Sequence, residues 1–173
     1  MSKAPGRHMQ HEIAQAAGVF GATVLREIPK HQALTAFGDL RAIYTVARGS
    51  SDAVANILAY EFMASLSVPV TSLPPSVFSL GNGVDLSGAG LLIISQSGAS
   101  DDLVAGARIA RARGATVISV TNQPGSPVEM NSHLNIPILA GPEKAVPATK
   151  TVIGSIAAGM ALLSALRPDY RRA

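Results

Sequence analysis

The sequence predicts an α/β protein: a three-layer α/β/α sandwich around five parallel strands. Two observations carry this. Short β-branched apolar runs, such as "AIYTVA" (42–47) and "LLIIS" (91–95), alternate with longer segments of helical periodicity. Several of those runs also stop abruptly in small polar residues, as a strand does where it hands over to a helix.

The elements follow in order. Residues 11–28, "HEIAQAAGVFGATVLREI", have apolar residues at helical spacing and end before Pro29. "HQALTAFG" reads as a short helix closed by Gly38. "AIYTVA" is the first buried strand, and "DAVANILAYEFMASL" (52–66) is the helix after it. "VPVTSL" (68–73) is a second strand, near an edge because of Pro69. "PPSVFSLGNGVDLSGAG" is loop with one helical turn. "LLIIS" is the third strand. "DDLVAGARIARARG" (101–114) is a helix with Asp in its first turn, Arg in its last and Gly114 beyond. "ATVISVT" (115–121) and "HLNIPI" (133–138) are the last two strands, with a short "SPVEMNS" helix between them. "VPATKTVIGSIAAGMALLSALR" (146–167) closes the series as a long helix of small residues. Its apolar residues surround it, so a partner is expected to cover what the sheet does not.

Composition narrows the functional classes. The 173 residues are 47% hydrophobic and 14% charged, which suits one globular domain. Net charge is +3 with scattered basic residues and 4% aromatics, which argues against a nucleic-acid surface. Cysteine is absent, so no disulfide or thiolate metal site forms. Apolar runs fall short of a membrane span, and the N-terminus lacks the apolar centre of a secretion signal. A cytoplasmic protein is expected, with residues 1–10 a flexible leader, 11–167 one domain and 168–173 the start of a linker or tail.

Three strand-to-helix junctions carry polar residues: Gly49, Ser50 and Ser51; Ser95, Gln96, Ser97, Gly98 and Ser100; and, more weakly, Thr121, Asn122 and Gln123. A helix N-terminus offers unpaired N–H groups and a partial positive charge, so an anion there needs no Lys or Arg. Serine hydroxyls add donors, and Gly98 lets the backbone come close. Ser and Gly are also ordinary N-cap residues, and one such junction alone reads equally well as capping. Two, from neighbouring strands, favour a shared phosphate pocket. Other motifs fail. No Walker loop is present, "GNGVDL" has Leu86 at the third glycine position, and Ser97 is not in a G-x-S-x-G elbow. His8 and His11 have ligand-like spacing but lack a convergent carboxylate set, so no metal site is expected.

"ARGSSDAVA", "ISQSGASDDLVAGARIARARGATVISVTNQPGSPV" and "AGPEKAVPATKT", in that order, resemble the sugar isomerase (SIS) domain. More closely, they resemble the first such domain of the amino-sugar phosphate group: isomerising aminotransferases, deaminases and related fructosamine and tagatose amine enzymes. The resemblance spans roughly residues 10 to 167 and implies a flavodoxin-like sandwich. It implies that Ser95, Gln96, Ser97 and Ser100 hold a sugar phosphate, with Gly49, Ser50 and Ser51 beside them. It also implies that Val146, Pro147, Ala148, Thr149 and Lys150 line the sugar. Ala99 stands where some relatives carry Glu, and Ala148 where many carry a Ser that touches the sugar.

No metal or organic cofactor is implied. Relatives of this type usually carry two such domains in tandem, with the enolising glutamate and ring-opening histidine in the second. None of Glu12, Glu27, Glu61, Glu129 and Glu143 has a companion His in a recognisable constellation, so the catalytic acid and base stay unassigned. Three readings stand. The first is the phosphate-binding half of an amino-sugar phosphate enzyme, paired with a second SIS domain or a second copy. The others are a single-domain sugar-phosphate isomerase and a non-catalytic sugar-phosphate sensor.

Overall fold

This computed structural model describes residues 6–172. The chain runs α1 (Arg7–Val24), α2 (Gln32–Gly38), β1 (Ile43–Ala47), α3 (Ser50–Leu66), β2 (Val70–Ser72) and α4 (Ser76–Ser79). It continues through β3 (Gly90–Ser95), α5 (Asp101–Ala112), β4 (Thr116–Thr121), α6 (Pro127–Met130), β5 (Leu134–Pro137) and α7 (Lys150–Leu166). A 3-10 turn, Pro168–Arg172, ends it.

All five strands are parallel, in the order β2-β1-β3-β4-β5. Both faces are covered, which is why β3 is buried along its whole length and reads as an unbroken apolar run. On one face Ile43, Leu92, Ile94 and Ile118 meet Val54, Leu58 and Phe62 of α3 and Ala158 and Leu162 of α7. On the other, Val46, Leu91, Ile93 and Val117 meet Phe78 of α4 and Leu103, Ala107 and Ala110 of α5. Small residues draw the layers together. A Cβ on Gly159 of α7 would stand 2.6 Å from Leu58 Cδ2, closer than any real contact.

Helix boundaries differ from the periodicity at both ends of the chain. α1 begins at Arg7, so residues 7–10 of the expected leader are helical, while residues 1–5 lie outside the described residues. Residues 7–10 hold a single apolar side chain, Met9, too few to show a period. α7 begins at Lys150 rather than Val146, because the segment before it serves as a wall and a cap. The expected tail turns back onto the domain: Tyr170 packs against the core, and its hydroxyl donates to Glu61 Oε2 at 3.1 Å. The side of α7 turned away from the sheet packs against α1 of the same chain, with Val152, Ile153, Ile156 and Met160 left half-buried. Among the described residues no helix is long and apolar enough to cross a membrane.

Candidate functional site

The strand order reverses between β1 and β3. β1 continues into α3 on one face of the sheet and β3 into α5 on the other, which opens a crevice at their carboxyl ends. A cleft of about 570 Å³ occupies it. One wall is Arg48, Gly49, Ser50 and Ser51, a second is Ser95, Gln96, Ser97 and Ser100, and a third is Glu143, Lys144, Ala145, Val146 and Ala148. Three segments far apart in sequence thus converge on one space.

The first two walls are helix starts whose hydroxyls are not spent on the helix. Gly49 caps α3 at φ 57°, a backbone that Ser50 or Ser51 would not readily adopt, and no side chain caps that helix. Ser100 caps α5 through its backbone alone. By contrast, Ser126 Oγ accepts from Glu129 N in the ordinary manner at the start of α6. Ser97 is exposed, and its Oγ accepts only a long 3.3 Å bond from Ala99 N.

Ser95 works differently. It is buried at the end of β3, and its Oγ accepts from Gly98 N at 3.1 Å, closing the turn on which Ser97 stands. Gly98, at φ 61°, does not line the cleft. It faces α6, where a Cβ would meet Ser126 Cβ at 2.6 Å, and its carbonyl accepts from Val128 N. Arg48 donates to Asp102 Oδ2 at 3.0 Å, which ties the first wall to the first turn of α5 and offsets the Asp102 charge there.

The third wall is held from behind. Glu143 Oε1 accepts from Thr149 N at 2.8 Å, Thr149 Oγ1 at 3.1 Å and Thr151 N at 3.3 Å, and Thr151 Oγ1 donates to Oε2. Glu143 therefore caps α7 from seven residues upstream of its first turn. Burial pushes its pKa up, but the Thr151 and Thr149 donors outweigh that and hold it below the usual carboxylate value. Of the expected loop residues, Val146 and Ala148 line the cleft. Thr149 is turned to Glu143, and Lys150 is buried with Nζ donating to Gln15 Oε1 of α1 at 2.7 Å. At the third junction, Asn122 accepts from Ala140 N and donates to Gly141 O, fixing the chain that leads into this loop; it does not reach the cleft.

Residues 38–165 match the family model of the SIS domain. The chain belongs to the SIS domain family. Among curated relatives, a glutamine–fructose-6-phosphate aminotransferase (isomerizing) of Bradyrhizobium diazoefficiens is 32% identical over 162 residues, 88% of this chain and 27% of its own. A solved Silicibacter pomeroyi DSS-3 protein, assigned as a phosphosugar isomerase, superposes with a TM-score of 0.83 at 35% identity, covering 95% of this chain and 52% of that one. The C-terminal domain of the glucosamine–fructose-6-phosphate aminotransferase of Francisella tularensis shares the fold, with a TM-score of 0.85 at 22% identity, covering 100% of this chain and 51% of that one. This SIS domain thus spans about a quarter of the aminotransferase and about half of each solved chain.

Sequence reasoning gave no part in the site to Arg48 or Glu12, and left Glu143 unassigned. Glu12 of α1 is buried, with Oε1 accepting from Lys144 N at 2.6 Å and Oε2 from Ala145 N at 3.0 Å. A signal for Glu12 was present: it shares a helix face with Ala16, Val19 and Thr23, the side that turns inward.

Proposed function

We propose that this SIS domain binds a phosphorylated sugar, with the phosphate on the serines of the β1–α3 and β3–α5 junctions and the sugar along residues 143–148. The observation that carries this reading is the pair of helix starts whose hydroxyls cap nothing and face one cleft. A phosphate there meets backbone N–H groups, the positive ends of two helices and rotatable O–H donors, with Arg48 at the rim. The spread of polar groups over three walls suits a ligand with an anionic end and a hydroxylated body.

Within that reading the chain is the phosphate-binding half of an amino-sugar phosphate isomerase, deaminase or isomerising aminotransferase, working in the cytoplasm without metal or organic cofactor. Proton transfer next to a carbonyl needs a base and an acid free to exchange protons. Both oxygens of Glu143 are occupied by donors, so the reactive pair comes from a second SIS domain or a second copy of this chain. Ile57 and Tyr60 of α3, one turn apart and exposed, supply an apolar face for such a partner.

Titration calorimetry of the chain with glucosamine-6-phosphate, fructose-6-phosphate and the unphosphorylated sugars tests the reading. Binding of the phosphorylated forms alone is expected. Equal affinity for the unphosphorylated sugars, or none for either, would overturn it.

A further inference from the structure

α1 packs on α7, and it also meets the connection from β5 to α7 near its start and at residues 144 and 145. Thr23 Oγ1 donates to Ile138 O at 2.6 Å, Lys150 Nζ reaches Gln15, and Glu12 receives the N–H groups of Lys144 and Ala145. The last contact is the one that bears on the cleft. Lys144 and Ala145 line it, and Glu12, 4% exposed, takes one N–H of each on separate oxygens. Two adjacent backbone donors pointing the same way make a concave turn, which a carboxylate fills and a methyl or amide group does not. Without it, the two N–H groups have no partner inside the protein, and the loop has no reason to keep its carbonyls and side chains directed at the cleft.

We propose that Glu12 is a positioning residue for the sugar-facing wall. From α1 it sets residues 144–148 against the ligand body without touching the ligand, and it leaves the serine cradle alone. The proposal rests on the sugar-phosphate reading and divides the site in two. The phosphate end depends on β1, β3 and their helices, and the sugar end depends on α1.

The test uses the full chain as wild type, Glu12→Gln, Glu12→Ala and Glu12→Asp, titrated with inorganic phosphate and with glucosamine-6-phosphate. Amide exchange is followed at residues 144 and 145. Inorganic phosphate reports the cradle only. In Glu12→Gln and Glu12→Ala its affinity is expected to stay within about twofold of wild type, while glucosamine-6-phosphate weakens about tenfold or more. Exchange at 144 and 145 is expected to rise in both. Glu12→Asp keeps both acceptor oxygens and is expected to recover part of the loss; if the alanine variant does not fold, the near-isosteric glutamine carries the comparison. Sugar-phosphate affinity unchanged in Glu12→Gln would overturn the proposal, as would a parallel loss of both probes, which marks general damage. Failure of the wild type to bind either probe would instead overturn the sugar-phosphate reading, and this proposal with it.

Discussion

Ser95 Oγ and Gly98 N are joined by a 3.1 Å hydrogen bond inside the turn that presents Ser97 to the cleft. The two serines, two positions apart in the chain, therefore have different work. Ser95→Ala leaves a buried N–H without its acceptor, so it should lower folding stability by about 1–3 kcal/mol and weaken ligand binding as well. Ser97→Ala should leave stability within about 0.5 kcal/mol and weaken sugar-phosphate binding by about 1–3 kcal/mol, the range for a hydrogen bond to a charged group. Urea unfolding and calorimetry on both variants separate these; equal stability losses would refute the division.

Gly98→Ala meets two obstacles at once. The residue sits at φ 61°, and an added Cβ would crowd Ser126. A loss of roughly 2–4 kcal/mol is expected from strain and overpacking together. A urea midpoint close to the wild type would show that the turn can yield.

Glu143 links acid stability to the start of α7. Its folded pKa is depressed, so the unfolded chain binds the proton first as pH falls. Its contribution is present above about pH 4.5 and lost below it as the folded pKa is passed. Glu143→Gln should lower stability at neutral pH by about 1–2 kcal/mol and flatten the melting temperature between pH 5 and 3, relative to wild type. An unchanged acid limb in the variant would remove Glu143 from this role.

His133 acts at a higher pH. Burial first, then the Arg111 charge, hold its pKa below the ordinary histidine value, and its Nδ1 accepts from Val117 N at 3.0 Å. The neutral ring is the folded form. Stability should therefore decline as pH drops below about 6.5, where the unfolded chain begins to take the proton more readily. Melting curves from pH 8 to 5 should show this slope in wild type and less of it in His133→Gln. A slope identical in both places its origin elsewhere.

The purified chain should bind sugar phosphate and turn over none. Its cleft supplies donors and helix termini, but the carboxylate on its wall is committed to Thr149 and Thr151. An isomerase and deaminase assay on wild type and Glu143→Gln checks this. Robust wild-type turnover that vanishes in the variant would make the single domain sufficient.

Much of the fold was legible in the residues. The five strands stood out because each is short, apolar and bounded by turn residues, and alternation with helices implied a parallel sheet. The cleft was legible as well. Serines clustered at two strand ends point to one space once those strands are neighbours, and β1 pairs with β3. Less legible were the reasons for particular residues. Gly98 looked like an opening for a ligand, whereas it makes room for Ser126. Lys150, opposed to the dipole of its own helix, looked like a ligand contact, whereas its amine crosses to α1.

By itself the sequence determined the layers, the strand ends that face the crevice and the two polar junctions, because these depend on period and on neighbours a few residues away. Only the tertiary structure decided what stands behind the third wall. Glu12 meets Lys144 and Ala145 across more than a hundred residues, and Glu143 meets Thr151 across a loop with no period. Local pattern records which face of a helix is buried, but not which distant backbone donors it will find there. A carboxylate on the buried side of α1 is a lone oddity in the chain and a pair of hydrogen bonds in the fold.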